Sequence, residues 1–265
     1  MTHNGIIKDL ENSDYHAESE HLSSSKLKLL LTDLEKFHSE NILKIKTEQK
    51  ENTNFSEGSF VHSLILEPTK LDEYAFFEGW TKRGPEWTAF KEANEGKTIL
   101  SKPQKIRCEK WVESYKKNPA AVELVSGIEA EISVFTELDG VRVKARADGL
   151  NLEKGYILDV KTTSYSPSLE SFKLVCEQFS YYLSAALYLK CFEIAYNKKF
   201  EFYFIVISKS ENECQVYKLS EESKQVGDRE MFEALRIYKK CKKSNLWTKE
   251  AKESFDYDNY EILEV

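Results

Sequence analysis

Two aspartates and a lysine are the residues of this sequence best placed to do chemistry together. Asp148 closes the segment VRVKARAD, and Asp159 and Lys161 lie in YILDVK, eight residues further along the chain. In an extended strand, side chains alternate between faces. Val141, Val143, Ala145 and Ala147 therefore point one way, and Arg142, Lys144, Arg146 and Asp148 the other. In the second segment Tyr156, Leu158 and Val160 share one face, and Ile157, Asp159 and Lys161 the opposite one. The connection NLEKG is short enough to make the two strands neighbours, so that their carboxylates converge. Paired carboxylates are hard oxygen ligands suited to Mg²⁺, with Mn²⁺ as a substitute, and leave room for water and a substrate phosphate. A lysine two residues past the second carboxylate can orient or deprotonate a water, or neutralise charge growing on a phosphate. Arg142, Lys144 and Arg146 add phosphate-binding capacity on the same strand. The plainer alternative is a solvated strand face with cross-strand ion pairs. Against it, Asp159 sits inside the apolar run YILDV, where an unpaired charge would be costly.

Two further residues stand near this pattern with their roles open. His62 is the lone ionisable side chain within SFVHSLIL; it is either an ordinary helical histidine or a neutral ligand beside the carboxylates. Glu131 begins the strand EISVF and, if the hairpin brings it near Asp148, could hold metal directly or through water.

The elements that must position these residues follow from periodicity and punctuation. LSSSKLKLLLTDLEKFHSE reads as a serine-capped helix with Leu27, Leu30, Leu31 and Leu34 at helical spacing. KIKTEQKENTN reads as a loop or exposed helix end, and FSEGSFVHSLILEP as a helix that stops near Pro68. GWTKRGPEWTAFKEA suggests a loop entering a short helix, and IRCEKWVESYKKNPAAVELV helix and turn. EISVFTELDGVRVKARADGL is a hairpin about Asp139-Gly140. GYILDVKTT is a third strand, LESFKLVCEQFSYYLSAALYLKCFEIAY one long amphipathic helix, and KKFEFYFIVISK and ECQVYKL a further strand pair. REMFEALRIYKKCKK is a last helix before an acidic, aromatic end. The expected fold is α/β: a central mixed sheet flanked by helices with an N-terminal helical elaboration. We expect one domain over 1–265, with the elaboration at about 1–125, a catalytic core at 126–220 and a helix and tail at 221–265.

The motifs GSFVHSLILEP (58–68), EISVF (131–135), KARAD (144–148), ILDVKTT (157–163) and QFSYYLSAALY (178–188) occur in an order that resembles the PD-(D/E)XK nuclease superfamily. More narrowly the chain is similar to the RecE-like, exonuclease VIII type enzymes of phages and prophages, over roughly residues 20 to 220. That resemblance implies metal at His62, Asp148 and Asp159, with Lys161 as the catalytic lysine. It places the family's glutamate at Glu131 and its helical motif at Gln178 and Tyr182. Ala147 stands where proline is common, which leaves the ligand next to it intact. The resemblance further implies 5′→3′ digestion of linear double-stranded DNA to leave 3′ single strands for recombination. Ring-like homo-oligomers and a single-strand annealing partner are implied with it. A structure-specific or site-specific endonuclease and an inactive DNA-end-binding protein are the alternative functions.

Composition bounds the rest. The 265 residues carry a net charge of −7, with 41% hydrophobic and 12% aromatic residues, so the chain is ordered and lacks a basic coat for nucleic acid. No stretch approaches a membrane span, no secretory leader is expected, and five unpaired cysteines point to a reducing, cytoplasmic setting, a bacterial host cell by the resemblance. Trp80 and Trp87, in GWTKRGPEW, are read either as packing residues or as an aromatic wedge at a DNA end.

Overall fold

The computed structural model describes residues 4–45 and 53–249. In chain order the elements are β1 (Gly5–Ile7), α1 (Asn12–Ala17), α2 (Ser24–Thr32), α3 (Leu34–Phe37) and α4 (Thr53–Leu66). Then come β2 (Tyr74–Phe77), α5 (Pro85–Ala93), β3 (Thr98–Ser101), α6 (Lys102–Lys116) and α7 (Pro119–Val125). The remainder is β4 (Glu129–Leu138), β5 (Val141–Asn151), β6 (Tyr156–Thr163), α8 (Leu169–Gln178), α9 (Tyr181–Tyr196), β7 (Glu201–Ser208), β8 (Glu213–Lys218) and α10 (Glu221–Ser244).

A six-stranded mixed sheet runs in the order β1-β4-β5-β6-β7-β8. Asp139 and Gly140 both take positive φ, at 53° and 74°, which matches the twist of a tight hairpin and fixes the β4–β5 register at Leu138 opposite Val141. β6 and β7 are parallel, so the chain must cross over between them, and α8 and α9 make that crossover. One face of the sheet buries Val143, Ala145, Ala147, Ile157, Phe202 and Phe204 beneath α2, α8, α9 and α10. The other buries Leu158, Val160, Ile205 and Ile207 beneath α4, α6 and α7. Helices thus flank a central mixed sheet, as expected from the alternation of patterns.

Three details differ from the sequence reading. The segment read as one helix from Leu169 to Tyr196 is two, because Ser180 adopts a left-handed φ of 47° between α8 and α9. That conformation usually falls to glycine or asparagine, so a serine there gave no warning. The N-terminal elaboration also contains strands. β1 adds an edge to the main sheet, and β2 and β3 form a separate parallel pair. Each has three or four residues, too short for alternation to register. Finally, the helix read across Leu22 to Glu40 is interrupted at Asp33, whose carboxylate caps α3 by accepting from the Lys36 N–H. The acidic end and most of KIKTEQKENTN lie outside the described residues.

One discontinuity in the sheet matters for everything that follows. β5 and β6 pair only from Gly149–Asn151 to Tyr156–Leu158. Beyond Gly149 they part, and the freed edge of β5 is taken by Leu22, whose N–H and C=O bond Arg142 O at 2.9 Å and Lys144 N at 3.0 Å.

Candidate metal centre

The strands part where the acidic residues stand. Asp148 lies on β5 one residue beyond the last β5–β6 pair, and Asp159 lies on β6 one residue beyond it on the other side. With no strand partner there, the β6 edge at Val160 is met by side chains. The Val160 N–H donates to Asp148 Oδ2 at 2.6 Å, and the Val160 carbonyl accepts from His62 Nε2 at 2.6 Å. A carbonyl only accepts, so the Nε2–H donates, which leaves Nδ1 as the ring nitrogen turned to the carboxylates. That Nδ1 faces Asp148 Oδ2 at 3.5 Å.

Glu131 completes the cluster. It is left-handed, with φ 53° at the third residue of β4, where a residue with a side chain is strained. Its neighbours Ala130 and Ile132 pair with Gly149 and Ala147, so Glu131 stands across the ladder from Asp148. Ala147 and Leu150, three apart, both enter the core beneath α9, so the alternation of β5 is broken at Asp148 and Gly149. Ligand atoms of His62, Glu131 and Asp148 all lie within 4.8 Å of one another. They line a cavity of about 420 Å³ shared with Tyr15, Glu67, Lys70 and Arg146. Burial, then Asp148 and Glu67, push the Glu131 carboxyl up to about 8, against the opposing pull of Arg146 and Lys70. Burial and Asp159 likewise raise Asp148, opposed by His62. Crowded, desolvated carboxylates beside an imidazole nitrogen fit a divalent cation: each donor is of a type it takes, and a cation offsets the repulsion between the carboxylates.

Asp159 is not among those clustered ligand atoms. Its carboxylate pairs with Lys161 Nζ, within reach of Asp148 electrostatically. Burial works against the Lys161 ammonium, but Asp159 and then Asp148 more than offset it and hold its pKa above the ordinary lysine value. The ammonium also lies 5.2 Å from the centre of the Tyr181 ring. The resemblance placed the helical motif at Gln178 and Tyr182. The ring beside Lys161 is that of Tyr181, while the Tyr182 hydroxyl bonds Ser223 and Cys176. Gln178 ends α8 exposed to solvent. Lys28 on α2 was not anticipated: its ammonium sits 5.2 Å from the same Tyr181 ring, and burial, then the Lys161 charge, draws its pKa down to about 8. Only the tertiary approach of α2 reveals it.

The three basic residues of β5 divide. Lys144 is buried, donating to Tyr15 O and, at 2.6 Å, to Glu18 O, with the Glu18 carboxylate at 3.3 Å. Arg146 is also buried, binding Ser133 Oγ at 3.0 Å and Asn12 Oδ1 at 3.2 Å, with Glu131 at 3.5 Å. Both tie the N-terminal segment across the sheet. Among the three, exposure to solvent is kept by Arg142 alone, which pairs with Glu20 at 2.6 Å. The expected strip of phosphate contacts is therefore largely committed to the fold: alternation gave the face correctly, but the N-terminal segment covers it.

A fork in a mixed sheet, carrying a carboxylate on each arm and a lysine two residues past the second, defines a PD-(D/E)XK-type domain. The chain belongs to the family described as a PDDEXK-like domain of unknown function (DUF3799), whose model matches residues 23–257. A solved structure similar to it is that of a "Putative exonuclease" from Eubacterium rectale, at 17% identity and a TM-score of 0.64. That match covers 88% of this chain and 86% of the other. Another, SSO0001, reaches 15% identity over 68% of this chain and 85% of the other, and its TM-score of 0.31 is too low to bear on the fold. No protein of curated function matches the chain. Among the described residues no helix is long and apolar enough to cross a membrane.

Proposed function

We propose that the chain is a divalent-metal-dependent deoxyribonuclease that hydrolyses phosphodiester bonds of linear double-stranded DNA from the 5′ end, leaving a 3′ single strand. The observation that carries this reading is the convergence of His62, Glu131 and Asp148 within 4.8 Å beside the Asp159–Lys161 pair. Mg²⁺ is the cation we assign, held by these three residues with Asp159 at the rim. When bound, it would polarise a phosphoryl oxygen and make its water a stronger nucleophile at neutral pH. The chain's own groups do the remainder. Lys161, kept protonated by Asp159, places a fixed positive charge where negative charge grows on the phosphate, which favours stabilisation over proton abstraction. The hydrogen bonds from Val160 N–H to Asp148 and from His62 to Val160 O fix the orientation of both ligands. Arg142 and Gln178, both exposed, are assigned to DNA backbone contact, and Tyr182 to holding α9 against α10. A ring-like homo-oligomer and a single-strand annealing partner belong to the same reading.

The test is digestion of end-labelled linear duplex beside closed circular duplex, with and without Mg²⁺. Loss of nucleotides from the 5′-labelled end of linear DNA only, and only with metal, supports the proposal. Nicking of closed circles would replace it with an endonuclease, and binding without cleavage at any metal concentration would make the chain an end-binding protein.

A further inference from the structure

Residues 79–110 carry eight lysines and arginines against four glutamates, in a chain whose net charge is −7. Most of the excess lies on α6, in Lys102, Lys105, Arg107 and Lys110, whereas the β2–α5–β3 unit, residues 74–101, balances four basic residues against four glutamates. That unit packs on α4 through Phe76 and Phe60, with ring centres 5.3 Å apart. Trp87 and Phe90 of α5 pack on Phe77, both at 5.4 Å, but α5 buries none of its residues. Trp80 goes further: it is 73% exposed, and no ring contact involves it among the described residues. The two tryptophans of GWTKRGPEW thus have different fates, one an anchor and one unused by the fold.

The loop that presents Trp80 is built rather than slack. A Cβ on Gly79 would lie 2.2 Å from the Phe77 ring, so only glycine lets the chain turn there over that ring. Gly84 takes a φ of 86° to enter α5, and Arg83 N–H closes on Thr81 O at 2.9 Å. Lys82 is used inward, donating to Ile99 O at 2.6 Å. Arg83, Lys91 and Lys97 are exposed, and none has an ion-pair partner among the described residues. At the other end of β2, Tyr74 lines the metal-centre cavity. Trp80 lies six positions further along the chain, at most about 22 Å when extended.

We infer that Trp80 and Arg83 form a stacking and phosphate-binding platform for an unpaired stretch of DNA leaving or entering the metal centre. An exposed indole offers a face to any unpaired base without reading sequence, and neighbouring cations hold the backbone that carries it. Base pairs inside a duplex do not offer that face. The inference rests on the proposed action on DNA and adds which part of the DNA this surface takes.

The test is anisotropy in EDTA with the full chain, using a short fluorescein-labelled single-stranded oligonucleotide and a blunt hairpin duplex. Trp80→Ala should weaken single-strand binding about tenfold, the size of one lost base–aromatic stack. Trp80→Phe should recover most of it, and the hairpin should be little affected. Arg83→Ala should lower the slope of log affinity against log salt by about one. Wild-type affinity in Trp80→Ala, or an equal loss on the hairpin, overturns the inference. So does a change in the sedimentation of Trp80→Ala, which would make the patch an interface between copies. A wild-type chain that binds neither probe removes the DNA reading itself, and this inference with it.

Discussion

His62 and Asp148 bind the two polar groups of one residue, Val160: the imidazole donates to its carbonyl and the carboxylate accepts from its N–H, each at 2.6 Å. Val160 lies between Asp159 and Lys161, so the histidine, both aspartates and the lysine are all referred to one stretch of β6 backbone. The ladder that β5 ceases to supply past Gly149 is replaced by the ligands themselves.

The first prediction concerns those ligands. Asp148→Asn keeps a side chain that can accept from Val160 N–H but removes the charge proposed to hold a cation. Turnover on linear duplex should fall by about 10²-fold or more, with Mg²⁺ affinity reduced, while the thermal midpoint stays near wild type. Calorimetric titration with Mg²⁺ and initial rates check both parts, and unchanged affinity would remove Asp148 from the site.

Glu131 should make metal binding and stability depend on pH. Its carboxyl is pushed up to about 8 by burial and by Asp148 and Glu67, against an ordinary value of 4.5. Without metal, the folded chain holds a proton between those values that the unfolded chain has released. The metal-free protein should therefore lose stability as pH rises from 4.5 towards 8. Mg²⁺ binds the deprotonated form, so its affinity should climb over the same range and level off above it. Thermal shifts with and without Mg²⁺ at pH 6 and pH 8.5 should differ in the wild type, by more at the higher pH, and far less in Glu131→Gln.

Lys161→Met should separate chemistry from folding poorly, and the pairing explains why. It leaves the buried Asp159 without its cation, which costs about 3–5 kcal/mol in comparable buried pairs. The double variant Asp159→Asn with Lys161→Met should regain most of that loss in denaturant melts while remaining inactive. If the double variant is no more stable than the single one, the pair is not the source of the cost.

A helix glycine gives the fourth. Replacing glycine by alanine inside a helix normally stabilises by about 1 kcal/mol. At Gly227 a Cβ would lie 2.1 Å from the Tyr182 carbonyl oxygen, so Gly227→Ala must push α10 off α9. The expected sign is reversed, a loss of about 1–3 kcal/mol by urea melting.

Much of this was legible in the sequence because it is written in short-range patterns. Asp139-Gly140 announced the hairpin, and the short NLEKG connection made β5 and β6 neighbours, with their carboxylates near one another. What local pattern could not carry was the set of tertiary choices. Glu131 joins the cluster through a left-handed backbone that no glycine marks. Tyr181 meets Lys161 just past a helix break that a left-handed serine makes. Lys144 and Arg146 looked free for phosphate until residues 10–22 crossed over them. Lys28 arrives from more than a hundred residues away, and no spacing rule spans that distance.

The parting of β5 and β6 has a cost the protein has reason to keep. Every second residue past Gly149 at which the two strands fail to pair gives up a pair of ladder hydrogen bonds, which Leu22, Asp148 and His62 replace one at a time, and a sequence selected only for durability would close it. Closing it would draw the Asp148 carboxylate out of its bond to Val160 and shut the cavity that His62, Glu131 and Asp148 line. Variants chosen for heat resistance alone should therefore accumulate along this seam and lose activity as they gain it.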